Sequence, residues 1–235
     1  MSDPRALPSV VLVTGTGTGV GKTVATAALA ALVRARGSSV VVVKPTQTGL
    51  APGEPGDVDD VRRLVGDDLS VHETVRLRDP LSPEAAARRE GVDLPPVAVH
   101  ARTVRDLATT ADVVLVEGAG GLLVRLDSRG GTLADLGTAV RYLGTSCGAV
   151  LVAAAGLGTL STAALTTEAL TARGIPLLGV VVGAWPADPG LAETENLTDL
   201  PRVTGAPLWG RIPDGAGRMP TAEFTAAATT WFDIR

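Results

Sequence analysis

Apolar residues along the chain follow two alternating rhythms. Short unbroken aliphatic runs, Val10 to Val13, Val40 to Val43, Val113 to Val116, Ala149 to Val152 and Leu177 to Val182, have the length and β-branched make-up of strands buried on both faces. Pro207 to Ile212 reads as one further strand. Between these runs, apolar residues recur at helical spacing. Val24, Ala28, Ala31, Leu32 and Ala35 form such a stripe, predicting a helix from Thr23 to about Arg36 with Gly37 as its stop. Further helices are expected over Asp57 to Val65, Ser82 to Glu90, Pro95 to Thr109, Thr159 to Arg173 and Thr221 to Phe232. The first strand, helix and second strand make a βαβ unit with a right-handed crossover. Continued alternation predicts an α/β fold: a three-layer, doubly wound, mostly parallel sheet of the P-loop NTP hydrolase kind. Leu50 to Gly56, with two prolines and two glycines, is a loop within a domain, and no internal repeat is present, so residues 1–235 are expected to form a single domain.

Composition sharpens this picture. Hydrophobic residues make up 45% of the chain and aromatics only 3%, so the core must be built from Val, Leu and Ala. A formal net charge of -4 argues against a general electrostatic attraction to nucleic acid or an anionic membrane. Any anion must be caught locally. The single cysteine, Cys147, excludes an intramolecular disulfide and a zinc site of several thiolates, fits a reducing compartment, and reads as a small core residue before a strand. Val10 to Val13 is too short for a signal peptide's apolar region and no stretch approaches a membrane span, so a cytoplasmic protein is expected.

In open parallel sheets, ligands bind in the crevice beyond the carboxyl ends of the strands, which directs attention to the residues after each strand. The first strand is followed by Gly15-Thr16-Gly17-Thr18-Gly19-Val20-Gly21-Lys22-Thr23. This ends in the Gly-Lys-Thr of a P-loop, with five residues rather than four between Gly15 and Gly21. Its glycines let backbone N–H groups turn inward as an anion nest, and the following helix adds the positive end of its dipole. A nucleoside triphosphate is the natural occupant: Lys22 would reach the β and γ phosphates and the Thr23 hydroxyl would ligate Mg²⁺. Lys44-Pro45-Thr46-Gln47-Thr48-Gly49 follows the second strand. Lys44 is either an ordinary surface lysine or a second positive charge in the same crevice, where charge develops during phosphoryl transfer. Asp57, Asp59 and Asp60 open a helix, and on pattern alone N-capping outranks metal ligation. Glu117 stands where a P-loop protein meets its Mg²⁺; the competing reading is a salt-bridged glutamate before a flexible turn. Gly118, Gly120 and Gly121 permit close backbone approach to a substrate. Gly156 to Ser161 opens another helix, either as an anion site suited to a carboxylate or as a plain start capped by Thr159. His72 and His100 lie at no strand end and are expected on the surface, without a role.

Taken together, GTGTGVGKT, KPTQTG, VEGAGG and GLGTLS, in this order and spacing, resemble the dethiobiotin synthetase family from about Val10 to Trp185, with a looser match from Pro186 onward. The resemblance implies ATP-dependent closure of a ureido ring: 7,8-diaminopelargonic acid and CO2 yield dethiobiotin, ADP and phosphate through a carbamate and a carbamic–phosphoric anhydride. It implies Lys22 and Lys44 as catalytic residues, and Thr23, Asp57 and Glu117 as magnesium ligands, which reverses the capping preference for Asp57 and leaves Asp59 as a fallback. Thr18, Gly19, Val20, Gly21, Lys22, Thr23, Glu117, Gly183 and Trp185 would surround the nucleotide. Thr16, Lys44, Thr48, Ser82, Gly120 and Gly121 would meet the substrate, whose tail carboxylate meets Thr159, Leu160 and Ser161 from the partner subunit of a homodimer. The chain departs from many members at Ser161-Thr162, where they have Asn-His, at Gly183, where an asparagine reads adenine, and at Gly19, where several carry an acidic residue. A P-loop ATPase switch of the partitioning type usually has a second lysine early in the loop, where this chain has Gly17. An amide synthase of the cobyrinate type would need a glutaminase domain for which the chain lacks both the length and the cysteine.

Overall fold

The computed structural model describes residues 7–234. Seven strands form one sheet in the order β3-β2-β4-β1-β5-β6-β7: β1 (Val10–Gly15), β2 (Val40–Gln47), β3 (Ser70–Arg76), β4 (Val113–Gly121), β5 (Cys147–Ala153), β6 (Leu177–Trp185) and β7 (Leu208–Pro213). Every strand-to-strand ladder is parallel, a firmer outcome than the mostly parallel sheet expected. Parallel strands require crossovers, and these carry α1 (Lys22–Ala35), α2 (Asp57–Val65), α3 (Pro83–Glu90), α4 (Val97–Leu107), α5 (Leu133–Tyr142), α6 (Thr159–Thr171) and α7 (Leu191–Thr204), while α8 (Thr221–Ala228) follows the last strand.

The three layers follow from the two-residue alternation of strands. Along β1, Val11 and Val13 face a cluster that includes residues of α1, α2 and α8, whereas Val10 and Leu12 face one built with α4 and α5. Each fully buried Val or Leu contributes about 1.5–3 kcal/mol by leaving water, so β1, apolar on both faces, is the natural centre of the sheet.

Three elements escaped the pattern reading. β3 is an edge strand, Ser-Val-His-Glu-Thr-Val-Arg, half-buried and largely polar, without the aliphatic run of its neighbours. α5 carries Gly137 in its middle because the helix lies so close to β1 that a Cβ there would come 2.6 Å from Leu12 Cδ1. α7 has Pro201 inside its last turn and few buried residues. The last helix stops at Ala228, short of Phe232, and the chain turns so that Phe232 bridges Gly210 antiparallel while the Asp233 N–H donates to the Trp209 carbonyl at 2.7 Å. This segment covers the β7 edge of the sheet, which would otherwise offer unpaired backbone groups.

The surface expectation for His100 is overturned. Residue 100 lies on the sheet-facing side of α4, where Ala101 and Val104 are also buried, and is 2% exposed with no hydrogen-bond partner for Nε2 among the described residues. Burial pulls its imidazole below the ordinary range, with Asp127 opposing and His72 adding to the shift. Cys147 is buried as expected, and burial pushes its thiol up to about 12.

Candidate active site

The loop after β1 wraps from Gly15 into α1, whose N-terminal cap is Gly21. Gly21 has φ 93°, a left-handed conformation that only glycine adopts without strain. A Cβ there would also come 2.5 Å from the carbonyl oxygen of Gly183 on β6. The reverse holds at Gly183, where a Cβ would collide with the Val20 carbonyl oxygen. Two facing glycines thus let the P-loop press directly onto β6. Thr16 anchors the loop's beginning on β5: its N–H donates to the Val152 carbonyl at 2.9 Å, and its hydroxyl accepts the Ala154 N–H at 3.1 Å. Lys22 folds back over the loop and donates to the Gly17 carbonyl at 2.8 Å.

Beyond the loop, five side chains from two strands and two helices converge. Lys44 is 3% exposed, which removes the surface-lysine reading. Its ammonium donates to Glu117 Oε1 at 2.9 Å and to the Gly118 carbonyl at 3.0 Å, and pairs closely with Asp57. Glu117, 1% exposed, also accepts from the Thr23 hydroxyl at 3.0 Å and from the Thr26 hydroxyl at 2.9 Å. Asp57 does not cap its helix: the capping position is Gly56, and it is Asp59 that accepts the Gly56 N–H at 2.7 Å. The fallback carboxylate is therefore turned away, toward Arg76 at 3.5 Å.

Burial opposes the charge on Lys44, but Glu117 and Asp57 together outweigh it and hold the ammonium above its ordinary range. Burial likewise opposes charge on Asp57, and Lys44 overcomes it, keeping the carboxyl low. For Glu117 burial wins and the carboxyl is raised, with Asp57 adding to the shift. Lys22 is lowered, first by burial. Buried ion pairs seldom repay their desolvation in stability, so a cluster this dense is better understood as charge preorganised for a ligand.

These residues line a cleft of about 780 Å³ running from Thr18, Gly19 and the P-loop past Thr48, Ala119 and Gly120 to a wall formed by Pro80, Leu81, Ser82 and Pro83. One end is charged and one uncharged. Thr16 and Gly121 instead border a second cavity of about 300 Å³ beside α6, lined also by Leu122, Leu123, Thr162 and Leu165. Thr159, Leu160 and Ser161 border neither cavity; Gly158, not Thr159, is the N-cap of α6, and the Thr159 side chain is buried. Trp185 closes the end of β6 and carries the Arg211 guanidinium over its ring at 5.1 Å.

The donor set fits a hard divalent cation. Two carboxylates and a hydroxyl converge, while phosphate and water oxygens would fill the remaining positions. Among the described residues no group of three or more His, Cys, Asp and Glu side chains is placed to hold a metal by itself.

Against known proteins, a family model described as an AAA domain matches residues 9–220. The ATP-dependent dethiobiotin synthetase BioD of Rhodococcus jostii is 54% identical over 225 residues, covering 96% of this chain and 95% of that protein. The enzyme of the same name from Saccharopolyspora erythraea is 55% identical over 216 residues, covering 91% of each. The chain belongs to the dethiobiotin synthetase family. Among solved structures, the cell division ATPase MinD of Pyrococcus furiosus superposes with a TM-score of 0.55 over 94% of this chain and 89% of that one, at 21% identity, a likeness of fold.

Within the family frame, two polar residues were missed by sequence reasoning. Thr26 lies one helical turn after Thr23, a spacing that could have flagged it as a second hydroxyl on the same face. Gln47 accepts the Asp57 backbone N–H at 3.0 Å and donates to the Thr48 carbonyl at 3.0 Å, tying the start of α2 to the KPTQTG segment. No pattern in the sequence marks that contact.

Proposed function

We propose that this chain is an enzyme of biotin biosynthesis that uses ATP to close the ureido ring of dethiobiotin on 7,8-diaminopelargonic acid and CO2. The family membership supplies the reaction. The observation that best supports this chain's competence is a single cleft whose charged end carries Lys22, Lys44, Asp57 and Glu117, and whose other end is walled by Pro80 to Pro83. A phosphoryl donor and an alkyl diamine fit opposite ends of such a cleft.

Each step has a counterpart in these residues. One amine adds to CO2 and loses a proton, giving a carbamate whose anionic oxygen suits Lys22 and Lys44. That oxygen takes the γ-phosphoryl group, releasing ADP; the P-loop N–H groups and Lys22 hold the phosphates while Lys44 offsets the charge in flight. The second amine then attacks the carbamoyl carbon and expels phosphate, forming the urea. Thr23, Asp57 and Glu117 would hold Mg²⁺, which neutralises phosphate charge when bound.

Three further readings belong with this one. The functional unit is a single cytoplasmic domain acting as a homodimer, with Leu123, Leu157 and Leu165, all exposed beside the second cavity and α6, as the contact surface and Thr159 to Ser161 meeting the partner's substrate tail. Nucleotide selection is loose, because Gly183 has no side chain to read a base; strong discrimination against CTP or GTP in turnover assays would contradict this. No nucleic acid or membrane takes part, and among the described residues no helix is long and apolar enough to cross a membrane.

The test is phosphate release from ATP, Mg²⁺ and bicarbonate with and without the diamine. Release that depends on the diamine is expected. Release indifferent to it would move the chain toward the ATPase switches.

A further inference from the structure

The β2 strand leaves its neighbour just before the site. Pairing with β4 ends at Val43↔Val116, whereas pairing with β3 continues to Gln47↔Arg76. From Lys44 onward, one side of β2 therefore has no strand beside it, and the cleft opens there. Two-residue alternation sends Lys44, Thr46 and Thr48 toward the same face, and all three line the cleft. Lys44 is fully engaged by Glu117, Gly118 and Asp57. Thr46 lies between Lys44 and Thr48, is 1% exposed, and its hydroxyl has no hydrogen-bond partner among the described residues. A buried hydroxyl without a partner costs about 1–3 kcal/mol, so its presence at this position calls for an explanation that folding does not supply.

We propose that the Thr46 hydroxyl is a substrate contact, accepting a hydrogen bond from an amine N–H of the bound diamine. This rests on the proposed ring-closing function and adds a residue to it. The chemistry favours a neutral acceptor. An amine must be unprotonated to add to CO2 or to attack the mixed anhydride, and a carboxylate beside it would stabilise the ammonium instead. Asp57 and Glu117 already serve Lys44 and, in the proposed function, Mg²⁺, and Lys44 itself, a cation, keeps a neighbouring ammonium unfavourable. A hydroxyl accepts the N–H while favouring the protonated amine far less than a carboxylate would. The oxygen is shielded from solvent, so contact entails rotation about Cα–Cβ into another staggered well.

The experiment compares Thr46→Val, which keeps the shape and removes the hydroxyl, with Thr46→Ser, which keeps the hydroxyl. Diamine binding by calorimetry, nucleotide binding, diamine-dependent turnover and melting temperature are measured for each. The expected result is a rise of about tenfold in the diamine Kd of Thr46→Val, equivalent to about 1.4 kcal/mol, with nucleotide Kd unchanged and the melting temperature equal or higher. Thr46→Ser should bind the diamine within about threefold of the natural chain, since the hydrogen-bonding group remains. An unchanged diamine Kd in Thr46→Val, or equal losses for diamine and nucleotide, would overturn the assignment. A natural chain that binds nucleotide but neither binds nor turns over the diamine would instead remove the ring-closing function, a result visible before any variant is made.

Discussion

Lys44 is the residue on which the site turns. Removing its side chain leaves Glu117 and Asp57 facing each other without their shared cation, yet leaves the P-loop, Lys22 and Thr23 in place. Lys44→Ala should therefore bind nucleotide nearly as well as the natural chain while turning over about a hundredfold or more slowly, the scale for losing a preorganised charge. Equal losses in affinity and turnover would assign Lys44 a binding role only. His100 makes a different prediction. Its folded-state value lies below the ordinary 6.5, so the unfolded chain takes up the proton first as pH falls. Its contribution to stability is complete above about pH 6.5 and is lost as pH falls through the lower folded value, at no more than about 1.4 kcal/mol per unit. His72 and Asp127 face it, and Asp127 is itself held low by the N–H groups of Val97, Gly131 and Arg129, which outweigh its burial. His100→Leu should flatten the decline in melting temperature between pH 7 and pH 5; an unchanged slope would place the acid sensitivity elsewhere. At this scale the sequence was legible wherever a residue directly followed an aliphatic run, as Lys44 and Glu117 do, although both strands extend past them. It was silent on His100, because one polar residue on an otherwise apolar helix face does not announce its direction.

The contact between the P-loop and β6 works at the level of elements. Gly21 and Gly183 approach so closely that neither tolerates a Cβ. Gly183→Ala should push the loop off β6, costing about 1–3 kcal/mol as overpacking does and weakening nucleotide binding with it. Thermal denaturation and nucleotide titration would report both; a variant of natural stability would mean that the loop yields at no cost. Elements with strong aliphatic runs were readable because burial on both faces leaves a continuous signature. β3, α5 and α7 were not, for separate physical reasons. An edge strand needs only one apolar face, a helix pressed on a strand substitutes glycine for a good helix former, and a proline near a helix end looks like a stop. The capping box of Thr132 and Asp135 was nevertheless present as a start signal for α5.

For the molecule as a whole, the exposed leucines beside α6 carry the assembly question. Leu165 is 63% exposed at the rim of the second cavity. Light scattering should find a dimer for the natural chain and a monomer, or a dimer at least tenfold weaker, for Leu165→Asp, since an unpaired charge in an apolar contact costs several kcal/mol; a natural chain that is monomeric at assay concentrations would refute the dimer. The fold class was legible from strand–helix alternation alone, but the strand order was not, because alternation states that strands are parallel without saying which are neighbours. That order carries a consequence of its own. β1 is synthesised before either of its partners, β4 and β5, and the Thr16 N–H that begins the phosphate loop is held by Val152. The nascent chain must therefore keep β1 without its first partner until residues 113–121 have been made, and without its second until residues 147–153 have followed, the long-range pairing that makes folding slow and exposed segments sticky. The nucleotide loop, read first in the sequence, is among the last parts to acquire its shape.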